Sequence, residues 1–264
     1  MTTEEYRKHP ALNFSLAKHL LDSPAHFKAA QDEECEPTEA MILGTVTHAL
    51  VLEGKNTLDQ YALKPDGMSF ATKEGKAWKA EQTKEIVSEK KALKIPYAAQ
   101  AISANPYALK LLEMCPNRET PIIVEYRGVQ IKALIDSHGD SMVSDFKTTA
   151  DCCERSFTKT IFDRHYDLQA AWYLAALSIS LNLSEPLPWY WLACELSEPF
   201  ANEIYLMPDD VLANGMAKMD YVIDKYKECL ASDKWDLPVH APRQVTMQPW
   251  NVFNYDPPTK QENL

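Results

Sequence analysis

Hydrophobic and polar positions change period once along this chain, near residue 117. Before that point apolar residues recur at helical spacing. After it, three short runs alternate every second residue, as half-buried strands do. Ser15 is placed to cap a helix running to about Asp22, and Ser23-Pro24 reads as N-cap and first helical residue of the next. Thr38 opens a third helix, TEAMILGTVTHALVLEG, which Gly54 closes. Residues 64–78 (KPDGMSFATKEGKAW) show little periodicity and read as loop. Helical spacing resumes over Ala77–Lys94 and again over Tyr97–Met114, with Pro96 and Pro116 as breaks.

The alternating runs are Pro121–Arg127, Val129–Asp136 and Ser141–Lys147. Gly128 and the segment Ser137-His138-Gly139-Asp140 supply hairpin turns between them. An apolar helix over about His165–Leu183 follows, then strands Trp189–Leu196 and Ala201–Met207, then a helix over Asp209–Leu230. This order predicts an α/β protein with a mixed central sheet flanked by helices. One domain is expected: a helical N-terminal elaboration (1–116), the core sheet and helices (117–237), and an extended tail (238–264). The tail carries five prolines, with Trp250, Phe253 and Tyr255 as anchors onto a neighbouring subunit or onto its own domain.

Composition narrows the function classes. At 264 residues, 45% hydrophobic and 25% charged, the chain can bury a core without staples. Its six cysteines form no CxxC or Cys/His spacing, so a zinc ribbon or a disulfide framework is not supported. Adjacent Cys152 and Cys153 read as reduced thiols of a cytoplasmic protein. The N-terminal segment lacks an apolar signal region, and the longest apolar stretch is too polar to span a bilayer. The net charge of −11 argues against coating nucleic acid by bulk attraction. Charge is uneven, however: Ala71–Lys94 holds seven lysines against four glutamates.

Asp136, Asp145 and Lys147 are the sharpest candidates for chemistry. Residues two apart on a strand share a face, so Asp145 and Lys147 project together, and Asp136 ends the neighbouring strand. Two adjacent carboxylates repel unless a cation lies between them, and their oxygens suit Mg²⁺ or Mn²⁺. The same residues also read as two turn aspartates and a surface lysine. Gln169 and Tyr173, four apart on an apolar helix, need polar partners: the adjacent site or a phosphate, with a satisfied core amide as the other reading. His48 on its apolar helix reads as a packed core residue or a ligand, with Gly44 one turn earlier allowing close approach. Glu125, central in the first strand, reads as a further acid or as a solvated carboxylate.

The order His, Glu, Asp, Asp-x-Lys, then Gln-x-x-x-Tyr on the next helix resembles the PD-(D/E)XK nuclease superfamily. The segments SLAKHLLDSPAHF, LGTVTHALVLEG, ATKEGKAW, KALIDSHGD, VSDFKTTAD and LQAAWYLAAL are similar to its exonuclease VIII (RecE-type) branch, related to lambda exonuclease. The resemblance implies a restriction-endonuclease-like core. It implies metal ligation by Asp136, Asp145, the main-chain carbonyl of Phe146 and His48, with Lys147 as motif lysine. Gln169 and Tyr173 match the downstream motif, and Glu125 is matched to a further acid. Ile135 stands where the superfamily's name has proline, and the second acid is Asp. The clustered cysteine triplet of relatives with an iron–sulfur staple is absent.

The implied function is Mg²⁺-dependent degradation of linear double-stranded DNA, 5′ to 3′, in phage-type recombination, with Mn²⁺ as a substitute. A homo-oligomeric ring (trimer or tetramer) and a single-strand annealing protein are the implied partners, and Lys73, Lys76 and Lys79 the candidate DNA contacts. Two alternatives stand beside it: a structure- or sequence-specific endonuclease of the same superfamily, and a non-catalytic acidic DNA mimic that uses the −11 charge.

Overall fold

The computed structural model describes residues 1–33 and 36–239. It begins with α1 (Thr3–Lys8), closed at its start by a capping box between Thr2 and Glu5. Strand β1 (Leu12–Asn13) runs into α2 (Phe14–Ala17), where the Asn13 side chain accepts from the Leu16 N–H. Asn13 is therefore the cap, not Ser15, and the expected helix to Asp22 is this short turn followed by a 3₁₀ turn at Lys18–Leu21. Helices α3 (Pro24–Asp32) and α4 (Glu39–Glu53) start at Ser23 and Thr38 as expected, and Gly54 closes α4 at φ +67°.

Two expectations fail in the next segment. Strand β2 (Ala62–Lys64), α5 (Lys73–Glu81) and β3 (Ile86–Ser88) form a β–α–β unit with parallel strands. Thr72 accepts from the Gly75 N–H and starts a helix inside the supposed loop. The supposed helix 77–94 is interrupted by β-branched Ile86 and Val87, the latter fully buried, before α6 (Glu89–Ala92). The 97–114 run is likewise two helices, α7 (Ile95–Ala104) and α8 (Pro106–Met114). Pro96 sits in the first turn of α7, where its missing N–H costs nothing, and Asn105 caps α8. The N-terminal part is thus not wholly helical.

The remaining elements are β4 (Asn117–Tyr126), β5 (Val129–His138), β6 (Val143–Thr149), α9 (Glu154–Asp163), α10 (Tyr166–Leu181), β7 (Trp189–Glu195), β8 (Asn202–Leu206) and α11 (Asp209–Ser232). Only α9 was unforeseen here. It buries Phe157 and Ile161, one turn apart.

Sheet order is β1-β5-β6-β7-β8, with β4 on the other side of β5, and the mixed α/β architecture is the one expected. Arg127 and Gly128 both have positive φ in the tight β4–β5 turn, which suits the twist of the hairpin. Strands β5 and β6 pair only at Ser137↔Ser144 and His138↔Val143 and then part. Further along β5, β1 pairs in parallel at Leu12↔Ile131 and Asn13↔Lys132. Parallel β6 and β7 stay paired over seven positions. Alternate residues of β7 go to different cores: Trp189, Trp191 and Ala193 to one, Leu192 and Cys194 to the other. A strand buried on both faces reads as a continuous apolar run, as this one does.

Helix α10 packs on β4, β5 and α11, while α4 and α7 contact β6 and β7. Cys115, Cys152, Cys153, Cys194 and Cys229 are free thiols. No helix among the described residues is long and apolar enough to cross a membrane. The tail from residue 240 onward, with Trp250, Phe253 and Tyr255, lies outside the described residues.

Candidate active site

The parting of β5 and β6 opens the site. Past the last ladder pair, the Asp136 carboxylate takes the place of a ladder carbonyl: its Oδ2 accepts from the Phe146 N–H at 3.0 Å. N–H and C=O of one strand residue face the same neighbour, so the Phe146 carbonyl is directed at the same gap. Continuing the β5–β6 register one step sets Asp136 opposite Asp145. Continuing the β4–β5 register between Arg118↔Ser137 and Thr120↔Ile135 sets Asp136 opposite Glu119. Three carboxylates thus lie in a row across three strands.

From α4, His48 Nε2 reaches Asp136 Oδ2 at 3.2 Å and Glu119 Oε1 at 3.5 Å. One ligand atom from each of His48, Glu119 and Asp136 lies within 4.8 Å of the other two, the only such trio among the described residues. Helix α4 comes this close because Gly44 has no side chain: a Cβ there would stand 3.1 Å from Thr148 Oγ1 on β6. Asp145 is 1% exposed. Lys147 Nζ pairs with its Oδ2 at 2.5 Å, and the buried Oδ1 has no partner among the described residues. The Lys147 ammonium also stands 4.9 Å from the centre of the Tyr166 ring.

A family model described as a PDDEXK-like domain of unknown function (DUF3799) matches residues 13–241. The chain belongs to this PDDEXK-like family. Among solved structures it is similar to a crystal structure described as a "Putative exonuclease" from Eubacterium rectale, with 16% identity and a TM-score of 0.62. That match covers 92% of this chain and 96% of the other, and it shows a shared fold. The structure of SSO0001 is a weaker likeness, at 15% identity over 53% of this chain and 69% of the other, with a TM-score of 0.28. No curated protein sequence matches significantly.

Burial and mutual charge set the protonation of the PDDEXK-like site. Burial pushes the Asp145 carboxyl up to about 7, and Asp136 adds to this against the opposing pull of Lys147. Asp136 goes the other way. Burial would raise it, but the His48 bond, Lys147 and the Phe146 N–H together hold it below the ordinary range. His48 would be depressed by burial, but Asp136, Glu119 and Asp145 outweigh that and raise it. Lys147 is raised by Asp145 and Asp136 despite its burial, so it stays an ammonium. Glu119 is raised, first by burial and then by Asp136, with His48 opposing.

A divalent cation fits this donor set. His48, Glu119 and Asp136 bring one ligand atom each into a common space, the buried Asp145 Oδ1 has no partner among the described residues, and the Phe146 carbonyl adds a further oxygen, an oxygen-rich, mixed set. His48, Glu119, Asp136, Phe146 and Lys147 line a cleft of about 350 Å³ together with Gly44, Thr148 and Tyr166, and Asp145 lies buried behind Lys147.

The sequence-predicted residues do not all arrive there. His48, Asp136, Asp145, Phe146 and Lys147 converge. Gln169 and Tyr173 lie one and two turns along α10 from Tyr166. Burial raises the Tyr173 hydroxyl well above its usual value, Gln169 hydrogen-bonds to it, and the charges of Asp136 and Asp145 reach it. Neither borders the cleft itself. Glu125 is not part of the cluster. It pairs with Gln130 beside the turn and is exposed, about 20 Å along the strand from Glu119. Lys73, Lys76 and Lys79 are exposed on α5 and do not border the cleft either.

Sequence reasoning passed over Glu119 and Tyr166. Both were within reach of simple register arguments. The Arg127-Gly128 turn fixes position 119 opposite Asp136, and Tyr166 precedes Gln169 by three residues, hence on one helix face.

Proposed function

We propose that this chain is a metal-dependent deoxyribonuclease that degrades linear double-stranded DNA from 5′ to 3′ in phage-type recombination, in the manner of the exonuclease VIII branch. The observation that carries the reading is the row Glu119, Asp136, Asp145 beside a half-buried Lys147. The PDDEXK-like family membership supports a nuclease. The Eubacterium rectale neighbour, described as a putative exonuclease, points to the same reaction class.

Asp136, Asp145, Glu119, His48 and the Phe146 carbonyl would hold Mg²⁺, or Mn²⁺ in its place. Such an ion supplies Lewis acidity at the phosphate and a water acidified enough to attack near neutral pH. Lys147, kept cationic by the two aspartates, holds positive charge beside the phosphoryl oxygens and orients the attacking water through its Nζ protons. Tyr166 fixes the Lys147 ammonium by its ring face. Without a cation, His48 holds a proton at Nε2 on Asp136. Gln169 and Tyr173 steady the helix wall behind Asp136 and Asp145.

A linear duplex labelled at either the 5′ or the 3′ end tests the reading directly. The 5′ label should be released first, in Mg²⁺, with EDTA abolishing release. Undiminished digestion in EDTA, or none in Mg²⁺, would sink it. Cutting of a covalently closed circle would turn it into an endonuclease. A closed homo-oligomeric ring, trimer or tetramer, would keep an acidic protein on the duplex, and a single-strand annealing protein would take up the strand left behind. Light scattering should give three or four times the 30.0 kDa chain mass. A monomer that digests processively would overturn the ring.

A further inference from the structure

The cleft does not end at the carboxylates. It shares Thr148 and Tyr166 with a second compartment of about 540 Å³, which in turn shares Leu43, Thr149, Ala150 and Leu196 with a third of about 260 Å³. Together they make one trough leading from the Asp136–Lys147 site to Lys91 and Lys94. Hydroxyls of Thr148, Thr149, Ser156 and Thr160 border it, and Leu43 and Leu196 give it an apolar strip.

Two cations on this trough have no carboxylate partner among the described residues, Arg164 in the middle compartment and Lys94 at the far end. Their neighbours are already engaged: Lys91 pairs with Glu39 at 2.5 Å, and Lys159 pairs with Asp163. Asp151, the other acid on the border, is held ionised, chiefly by the Cys153 N–H. The trough ends at Lys91 and Lys94, in a segment with excess positive charge. Ala62–Lys94 holds eight lysines against five carboxylates in a chain of net −11. In that unit Lys64 and Lys79 stand 5.3 and 5.4 Å from the Phe70 ring, which stacks on Trp78.

We propose that the trough carries one strand of the nucleic acid between the carboxylate row and the β2–α5–β3 unit, with Arg164 and Lys94 each taking a backbone phosphate. The inference rests on the nuclease reading and adds to it the direction in which the strand runs across this molecule. An alternation of hydroxyls, isolated cations and an apolar strip suits a sugar–phosphate chain, whose charges recur at intervals with apolar faces between them. A small anion would need only one of the two cations.

The experiment measures binding of a short fluorescent duplex with one single-stranded end, in Ca²⁺ so that it is held rather than cut, over a range of salt concentrations. Each neutralised phosphate contributes about 0.9 to the slope of log Kd against log salt. Arg164→Gln and Lys94→Gln should each lower the slope by about 1, and the double variant by about 2. Asp151→Asn should tighten binding. Lys110→Gln, the same charge change on exposed α8 away from the trough, should leave the slope at the wild-type value. Unchanged slopes in the double variant, or an equal loss in Lys110→Gln, would overturn the trough while a wild type that cuts in Mg²⁺ keeps the nuclease reading intact. A wild type that neither binds nor cuts DNA would overturn both.

Discussion

Lys132 on β5 and Asp145 on β6 are both buried, at 7% and 1% exposure. Lys132 Nζ donates to the carbonyls of Tyr6, Arg7 and His9 at 3.2, 3.3 and 2.6 Å, so each of its protons has an acceptor at the end of α1. Burial still lowers its pKa, but the ammonium is held. Asp145 has Lys147 on Oδ2 alone, and its buried Oδ1 has no partner among the described residues. A buried polar group left unmet costs about 1–3 kcal/mol. The lysine ties α1 and the segment after it to the sheet. The aspartate, by contrast, leaves one buried oxygen unmet. The same sheet therefore carries one charge that serves the fold and one that the fold tolerates.

The largest effect that could break this contrast is on activity. Asp145→Asn and Asp136→Asn should each lower cleavage by at least about 10²–10³-fold, the scale on which a strong electrostatic group acts at a transition state. Both variants should remain folded by circular dichroism. Wild-type rates in either would remove the carboxylate row from the chemistry.

Lys132→Met should do the opposite. It leaves three carbonyls at the end of α1 without their donor, and the expected loss is about 2–3 kcal/mol of stability. In a protein of this size that is a fall in Tm of about 4–12 °C. Metal binding, followed by the rise in Tm on adding Mn²⁺, should survive. A Lys132→Met protein as stable as wild type would show that the three carbonyls find water instead.

Glu119 and Glu125 sharpen the contrast within a single strand. Glu119→Gln should cost about 10–100-fold in metal affinity or rate. Glu125→Gln should change neither, because its side chain lies at the hairpin end of β4 in solvent. An equal loss in both would mean the β4 register places neither acid as described.

The same pair shows what the sequence made legible. The β4–β6 hairpins and α10 could be read because period and turn residues agreed for the strands and a long apolar run marked the helix, and the order of acids along those strands carried the family resemblance. Choosing between two glutamates needed the register, and Glu125 stood out only because apolar residues flank it. The β2–α5–β3 unit was hidden for another reason. Its strands are three residues long, too short for a period, and its helix is held by the Thr72 cap more than by an apolar face. Tertiary contact with α4 decides that region: Val87 packs with Ile42, Leu43 and Val46 in one cluster.

The smallest effect concerns the aspartate without its metal. Burial raises the Asp145 carboxyl from 3.8 to about 7, so the folded chain holds that proton more tightly than the unfolded one. The stability this provides is complete below the ordinary aspartate value and is lost as pH rises through about 7. At about pH 8 the metal-free protein therefore carries an ionised Asp145 at a cost to folding, which Asp145→Asn removes. Metal-free Asp145→Asn should melt at or slightly above the wild type at that pH, with the gap narrowing as pH falls toward about 5. Saturating Mn²⁺ should reverse the order, since a ligand bound only to the folded state at a hundred times its Kd adds about 2.7 kcal/mol. Calorimetry with and without EDTA reads all of this. If metal-free Asp145→Asn melts below the wild type at pH 8, the Lys147 ion pair stabilises the fold, and Asp145 joins Lys132 as a charge the scaffold needs.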